Sequence, residues 1–159
     1  MKTPSKFGLL MLALFSTAAA ATHSAHAARA QTQVLDTAPA TNEQIASAQT
    51  LIDKHFALWN SNDVSKYRQA YDEIYAKNFL MADYSGLARN YDDVVALIQK
   101  VQSAHPGFHF TPKPVAINHG LGRVTWGYGP ADNPTLITGE DIFTIEGGKI
   151  SSLRVFLNK

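Results

Sequence analysis

The chain has 159 residues, enough for one domain, and contains no cysteine. A disulfide scaffold, thiolate catalysis and any cysteine-ligated metal site are therefore excluded. Charge is nearly balanced, with 14 basic and 13 acidic residues.

Lys2 and Lys6 precede an apolar run from Phe7 to Ala21, and small residues follow in "ATHSAHAARA". This pattern predicts a secretory signal peptide over residues 1–30, with exits after Ala27 or Ala30. The run is too short and too alanine-rich at its end for a transmembrane helix; the bland alternative is an uncleaved anchor. Cleavage removes Lys2, Lys6 and Arg29 and no acid, which takes 14 basic residues to 11 against 13 acidic, a net charge of about −2. That argues against nucleic acid or an anionic membrane as partner. Export without cysteine suits a periplasmic location, or a secreted one. The remaining residues, about 130, can bury a real core.

Residues 31–40, "QTQVLDTAPA", read as a flexible lead-in, and the domain proper as residues 41–159. Thr41 and Gln44 have capping-box spacing. Ile45, Ala48, Leu51, Ile52, His55, Phe56, Leu58 and Trp59 then recur at helical spacing. Asp63 can cap a shorter second helix through about Tyr75, with Tyr67, Ala70, Tyr71 and Ile74 inward. "NFLMADYSG" reads as a first strand and its exit turn. Asn90 caps a third helix, "YDDVVALIQKVQSA", whose inner side carries Val94, Leu97, Ile98 and Val101.

After Pro106-Gly107 come four strand candidates, "FHFTPKPVAIN", "RVTWGYG", "TLITGEDIFTI" and "KISSLRVFL". Pro112 and Pro114 should put a bulge or an edge in the first. The connections are short, so neighbours should pair as antiparallel hairpins. The sum is an α+β domain with one curved sheet and helices on one face.

Alternation in the last hairpin raises a chemical question. Ile137, Gly139, Asp141, Phe143 and Ile145 share one face, so a carboxylate falls in an apolar set. Such a group is costly unless paired or protonated. Either Asp141 is solvated or paired with Arg154 or Arg123, or it lines a pocket with a raised pKa. The expected concave face carries Ile137, Asp141, Phe143, Leu153 and Val155. Glu140, Ile142 and Ile150 are expected outside, and the apolar Ile142 and Ile150, with Phe156, suggest a homodimer through the outer sheet face.

Asp83, three residues before Gly86, has the signature of a type I turn whose side chain caps local N–H groups. It also shares a strand face with Phe79 and Met81, which would put its carboxylate at a pocket mouth. His55, in the first helix's apolar stripe, is either a hydrogen-bonded core residue or a donor or general acid/base working near neutral pH. His105 and His109 are separated by Pro106-Gly107 and cannot form a helical zinc pair, so no metal site is expected. Phe108, Phe110, Trp126 and Tyr128 are read as core or dimer packing first, pocket lining second.

Four stretches, "FALWNSND", "FLMADYSG", "IQKVQSAHPGFHF" and "GEDIFTIEGGKISSLRVFL", resemble the nuclear-transport-factor-2-like superfamily in its SnoaL-like branch. The resemblance runs roughly from Thr41 to Lys159. It implies a cystatin-like cone, in which a strongly bent, mostly antiparallel sheet wraps around N-terminal helices and leaves an open-ended pocket. Members include ketosteroid isomerase, scytalone dehydratase, polyketide cyclases and limonene epoxide hydrolase, beside non-enzymatic domains, so fold alone does not decide function.

Asp141, Phe143, Gly147, Gly148 and Lys149 match the last hairpin of ketosteroid isomerase, with a turn one residue shorter. The isomerase keeps the matching aspartate protonated as an oxyanion-hole donor. Its general base is an aspartate at the place of Asp83. Its third group is a tyrosine where this chain has His55, a departure in chemistry. The resemblance thus implies Asp83 as base, with Asp141 and His55 as donors. Trp59, Phe79, Met81, Phe143, Leu153 and Val155 would line the pocket. The ligand would be a small apolar or aromatic organic molecule, handled without a cofactor by an isomerase, dehydratase or cyclase. The alternative is a non-catalytic periplasmic binding or association domain using the same pocket or sheet face.

Overall fold

A computed structural model describes residues 38–158. The signal peptide expected over 1–30, and the lead-in as far as residue 37, lie outside the described residues.

Helix α1, Asn42–Trp59, begins where its capping box dictates. The Gln44 N–H donates to Thr41 Oγ1 at 3.2 Å, and the Thr41 N–H donates to Gln44 Oε1 at 2.8 Å. Its apolar stripe is buried, with His55 inside it. Asp63 accepts from the Ser65 N–H and opens a 3-10 turn, Val64–Lys66, which runs into α2, Tyr67–Ile74. Tyr67 and Ile74 are buried and Ala70 and Tyr71 partly so. Strand β1, Tyr75–Asp83, follows at once. It starts earlier than expected, because Tyr75 is already extended and packs into the core. A short β2, Gly86–Ala88, pairs back on β1. The expected turn residues around Tyr84 hid this three-residue strand. Asn90 caps α3, Tyr91–Ala104, by accepting from the Asp93 N–H at 2.9 Å.

The remaining strands are β3 (His109–Pro112), β4 (Ala116–Asn118), β5 (Leu121–Gly129), β6 (Ile137–Glu146) and β7 (Lys149–Leu157). The stretch expected as one strand is two. Residues 113–115 oppose only 124–125 between the Pro112–Trp126 and Ala116–Arg123 pairs, so the prolines sit at a bulge. The sheet order is β2-β1-β7-β6-β5-β3, with β4 also on β5. The sheet is mixed, strongly curved and not closed. Among the described strands only β1 and β7 pair in parallel, so the first long strand lies beside the last and two places from β6. That topology brings the end of β1 and the first half of β6 to one space beside α1 and α3.

Ile150 departs from the expected register. Alternation expects it on the outer face, yet it is 0 % exposed. Thr144 pairs with Ser152 while Ile145 pairs with Ile150, so Ser151 is an extra, unpaired residue. This bulge reverses the alternation of β7 at its start and turns Ile150 inward beside Tyr75. Gly147 and Gly148 close the hairpin with φ of 57° and 76°, the left-handed pair a two-residue turn requires.

Two polar side chains tie the end of α1 to the sheet and to α3. Asn60, just past α1, donates to the Phe110 carbonyl at 2.9 Å and accepts from its N–H at 2.7 Å. Gln102 on α3 donates to the carbonyls of Trp59 and Ser61 at 3.0 and 2.9 Å, satisfying the open end of α1. These bonds hold α1, α3 and β3 around one space. None of the described helices is long and apolar enough to cross a membrane.

Candidate active site

Along β6, Gly139, Asp141 and Phe143 are buried, while Glu140 and Ile142 between them are only partly covered. Asp141 is 2 % exposed. Neither arginine considered as its partner reaches it. Arg123 pairs with Glu140 at 2.6 Å, and Arg154 donates to the carbonyls of Leu80 and Leu153. Instead Trp126 Nε1–H donates to Asp141 Oδ1 at 2.9 Å. Gly139 makes this bond possible. It pairs with Trp126 across the sheet, and a Cβ there would lie 2.5 Å from Trp126 Cζ2.

The other oxygen, Oδ2, faces His55 Nε2 at 3.9 Å. His55 is also 2 % exposed. Behind it, Nδ1 lies 2.7 Å from the Tyr75 hydroxyl, which accepts from Trp59 Nε1–H at 3.2 Å. Thus the histidine is both hydrogen-bonded within the core and open to the cavity; the two readings of its sequence position are not exclusive.

Burial decides the charge of both groups. It lifts the Asp141 carboxyl from its ordinary 3.8 to about 7, helped by the charge of Asp83 and opposed by the Trp126 hydrogen bond. It lowers His55 from 6.5 to about 3. The facing pair is therefore a neutral acid and a neutral imidazole just below neutral pH, not an ion pair. Burial also pushes the Tyr75 phenol above its ordinary range, so it remains a hydroxyl.

Asp83 ends β1, half-buried. Its Oδ1 accepts from the N–H groups of Ser85 at 2.6 Å and Gly86 at 3.0 Å, the turn-capping geometry its spacing suggested. Both bonds fall on one oxygen, leaving Oδ2 for other work. Asp83, Asp141 and His55 all line one cavity of about 250 Å³ between α1, α3 and the sheet. His55, Trp126 and Asp141 are its buried floor, and Tyr84, Ser85 and Lys100 stand at its exposed rim.

Of the apolar residues proposed as lining, Trp59, Met81 and Val155 border the cavity. Phe79, Phe143 and Leu153 lie in the close-packed core, at 2 %, 1 % and 0 % exposure. Phe143 turns its ring onto Gly122 of the neighbouring strand. Phe110, Trp126 and Tyr128, read first as packing residues, border the cavity as well. The signal for Trp126 was present: Val124, Trp126 and Tyr128 alternate with Arg123 and Thr125, which puts them on the inward face. Among the described residues no group of three or more metal-ligating side chains is placed to hold an ion.

Solved structures with this fold include a protein provisionally assigned as an isomerase of the SnoaL-like family from Agrobacterium tumefaciens. It is 20% identical, covering 72% of this chain and 99% of its own, with a TM-score of 0.65. A provisionally assigned SnoaL-like polyketide cyclase from Jannaschia sp. CCS1 is 15% identical over 71% of this chain and 86% of its own, with a TM-score of 0.57. A provisionally assigned ketosteroid isomerase from Kribbella flavida is 14% identical over 72% and 79%, with a TM-score of 0.54. At such identities the likeness speaks for the fold alone. No curated protein matches the chain. The sequence profile of the SnoaL-like domain matches residues 52–153, from the middle of α1 to the middle of β7, and the chain belongs to that family.

Proposed function

We propose that the cavity carries out cofactor-free acid/base chemistry on a small, largely apolar carbonyl compound, as an isomerase or cyclase does. Asp83 takes a proton from carbon next to the carbonyl. Asp141 and His55 donate hydrogen bonds to the oxygen on which negative charge develops. The observation that carries this reading is the convergence of the three side chains on one cavity with a buried floor. Two donors 3.9 Å apart can both reach a single oxygen at ordinary hydrogen-bond lengths of about 2.8 Å. A raised-pKa acid beside a second carboxylate is the arrangement that lets one pocket give and take protons. The match of the SnoaL-like family profile supports the reading.

The alternative, a pocket that binds without turnover, draws on the two N–H bonds that already occupy Asp83 Oδ1. One experiment separates the two. A bicyclic aryl ketone is incubated with the protein in deuterated buffer, and exchange at the carbon next to the carbonyl is followed by NMR. The expected result is catalysed exchange that falls by about 10²–10⁴ in Asp83→Asn, the usual size of a general-base contribution. Binding of the ketone with no exchange by the wild type would instead establish the binding domain.

A further inference from the structure

We propose that Trp59 and Tyr75 form a donor relay that fixes His55 as its Nε2–H tautomer, a standing hydrogen-bond donor to a ligand oxygen on the cavity floor. The inference deepens the acid/base reading and names two positioning residues for it. It rests on counting hydrogens. Trp59 Nε1–H can only donate, so at 3.2 Å the Tyr75 oxygen must accept. The hydroxyl has one hydrogen of its own, and the only other polar atom bonded to it among the described residues is His55 Nδ1, at 2.7 Å. If Nδ1–H donated as well, the buried hydroxyl hydrogen would have no partner, whereas a hydroxyl that accepts from tryptophan and donates to Nδ1 satisfies all three groups and leaves Nδ1 without a proton. A neutral imidazole then carries its hydrogen on Nε2, the nitrogen turned toward Asp141 and the cavity.

The same count works on the opposite side of the floor. Trp126 Nε1–H likewise only donates, and it holds Asp141 Oδ1 as an acceptor. When Asp141 is protonated, its hydrogen therefore resides on Oδ2, the oxygen that faces His55. Two tryptophans on different elements thus turn both polar groups of the floor into donors aimed at one place. A floor of this kind takes an atom with free lone pairs, such as a carbonyl, enolate or phenolate oxygen. It rejects an ammonium or another donor-only group, because both sides would then present hydrogens. The tyrosine of ketosteroid isomerase is a donor through its own hydroxyl. A histidine at that place has two tautomers, and only one of them donates into the cavity, so this chain needs the residues behind it to choose.

The test is long-range ¹H–¹⁵N correlation NMR on the ¹⁵N-labelled protein near neutral pH, without ligand. The expected spectrum shows His55 with a bare Nδ1 and a protonated Nε2. In Tyr75→Phe that single-tautomer signature should give way to an averaged one, with the Nδ1 resonance moving toward the protonated range. Should Tyr75→Phe fold poorly, Trp59→Phe removes the competing donor from the Tyr75 oxygen, makes acceptance from Nδ1–H easier and should shift the balance the same way. A wild type with its proton on Nδ1, or a tautomer that ignores the substitutions, overturns the relay. Because the readout needs neither ligand nor turnover, it can succeed where the ketone exchange fails, and the two proposals stand or fall separately.

Discussion

Below its folded pKa of about 7, Asp141 holds a proton that the unfolded chain, with an aspartate near 3.8, has already released. The folded state then binds more protons than the unfolded one, so this group's contribution to stability falls as pH rises from about 4 to 7. At 1.36 kcal/mol per unit, the full cost above pH 7 is about 4 kcal/mol. His55 behaves in the opposite sense. Lowered from 6.5 to about 3, it stays neutral in the fold while the unfolded chain takes up a proton, and its contribution falls as pH drops through that window. Between about pH 4 and 6.5 the two slopes cancel, and the pair adds no net pH dependence of its own. Substitution removes one slope and exposes the other. Asp141→Asn should keep the fold, match the wild type near pH 4, and gain on it by up to about 4 kcal/mol by pH 8. Thermal unfolding of both proteins across that range is the measurement. A difference that does not change with pH would mean that Asp141 is ionised throughout.

Gly139 shows how an element's geometry sets a residue's chemistry. It lies between Ile137 and Asp141 on the inward face of β6, and the Trp126 ring occupies the space its missing side chain leaves. Gly139→Ala would place a carbon 2.5 Å from Trp126 Cζ2 and 2.7 Å from the Phe156 carbonyl oxygen. The backbone cannot yield much, so the ring must. We expect a loss of about 1–3 kcal/mol, the usual cost of overpacking. The Trp126 indole N–H resonance should shift as its bond to Asp141 breaks; an alanine variant with an unmoved indole resonance would show that the ring has room. Element order and faces were legible in the sequence because the periods are clean: the Thr41 capping box, the α3 stripe and the Gly147-Gly148 turn all fall as the patterns predict. Ile150 was not, because a bulge is a one-residue event in the backbone and leaves no mark on the hydrophobic pattern that would date its onset. Nor was β2, whose three residues are too few to show a period.

At the scale of the molecule, the cavity exists because the parallel pairing of β1 with β7 sets Asp83 and Asp141 two strands apart under α1 and α3. Local pattern could place each carboxylate on an inward face; the pairing of distant strands had to bring them to one space. Tyr75 marks the limit of such inference. It lies 20 residues from His55 on a different element, and nothing in its own neighbourhood assigns it to the site. Trp126 is a middle case: its face could be read from alternation, but its bond to Asp141 depends on Gly139 standing opposite. The acid/base reading requires that Asp141 be a neutral acid whose proton feels the charge of Asp83 across the cavity. Carboxyl ¹³C NMR titration of Asp141, in the wild type and in Asp83→Asn, measures this directly. The expected result is a midpoint near 7 that moves down when the Asp83 charge is removed. A midpoint near the ordinary 3.8, unmoved by Asp83→Asn, would make Asp141 an independent, ionised carboxylate and contradict the proposed chemistry.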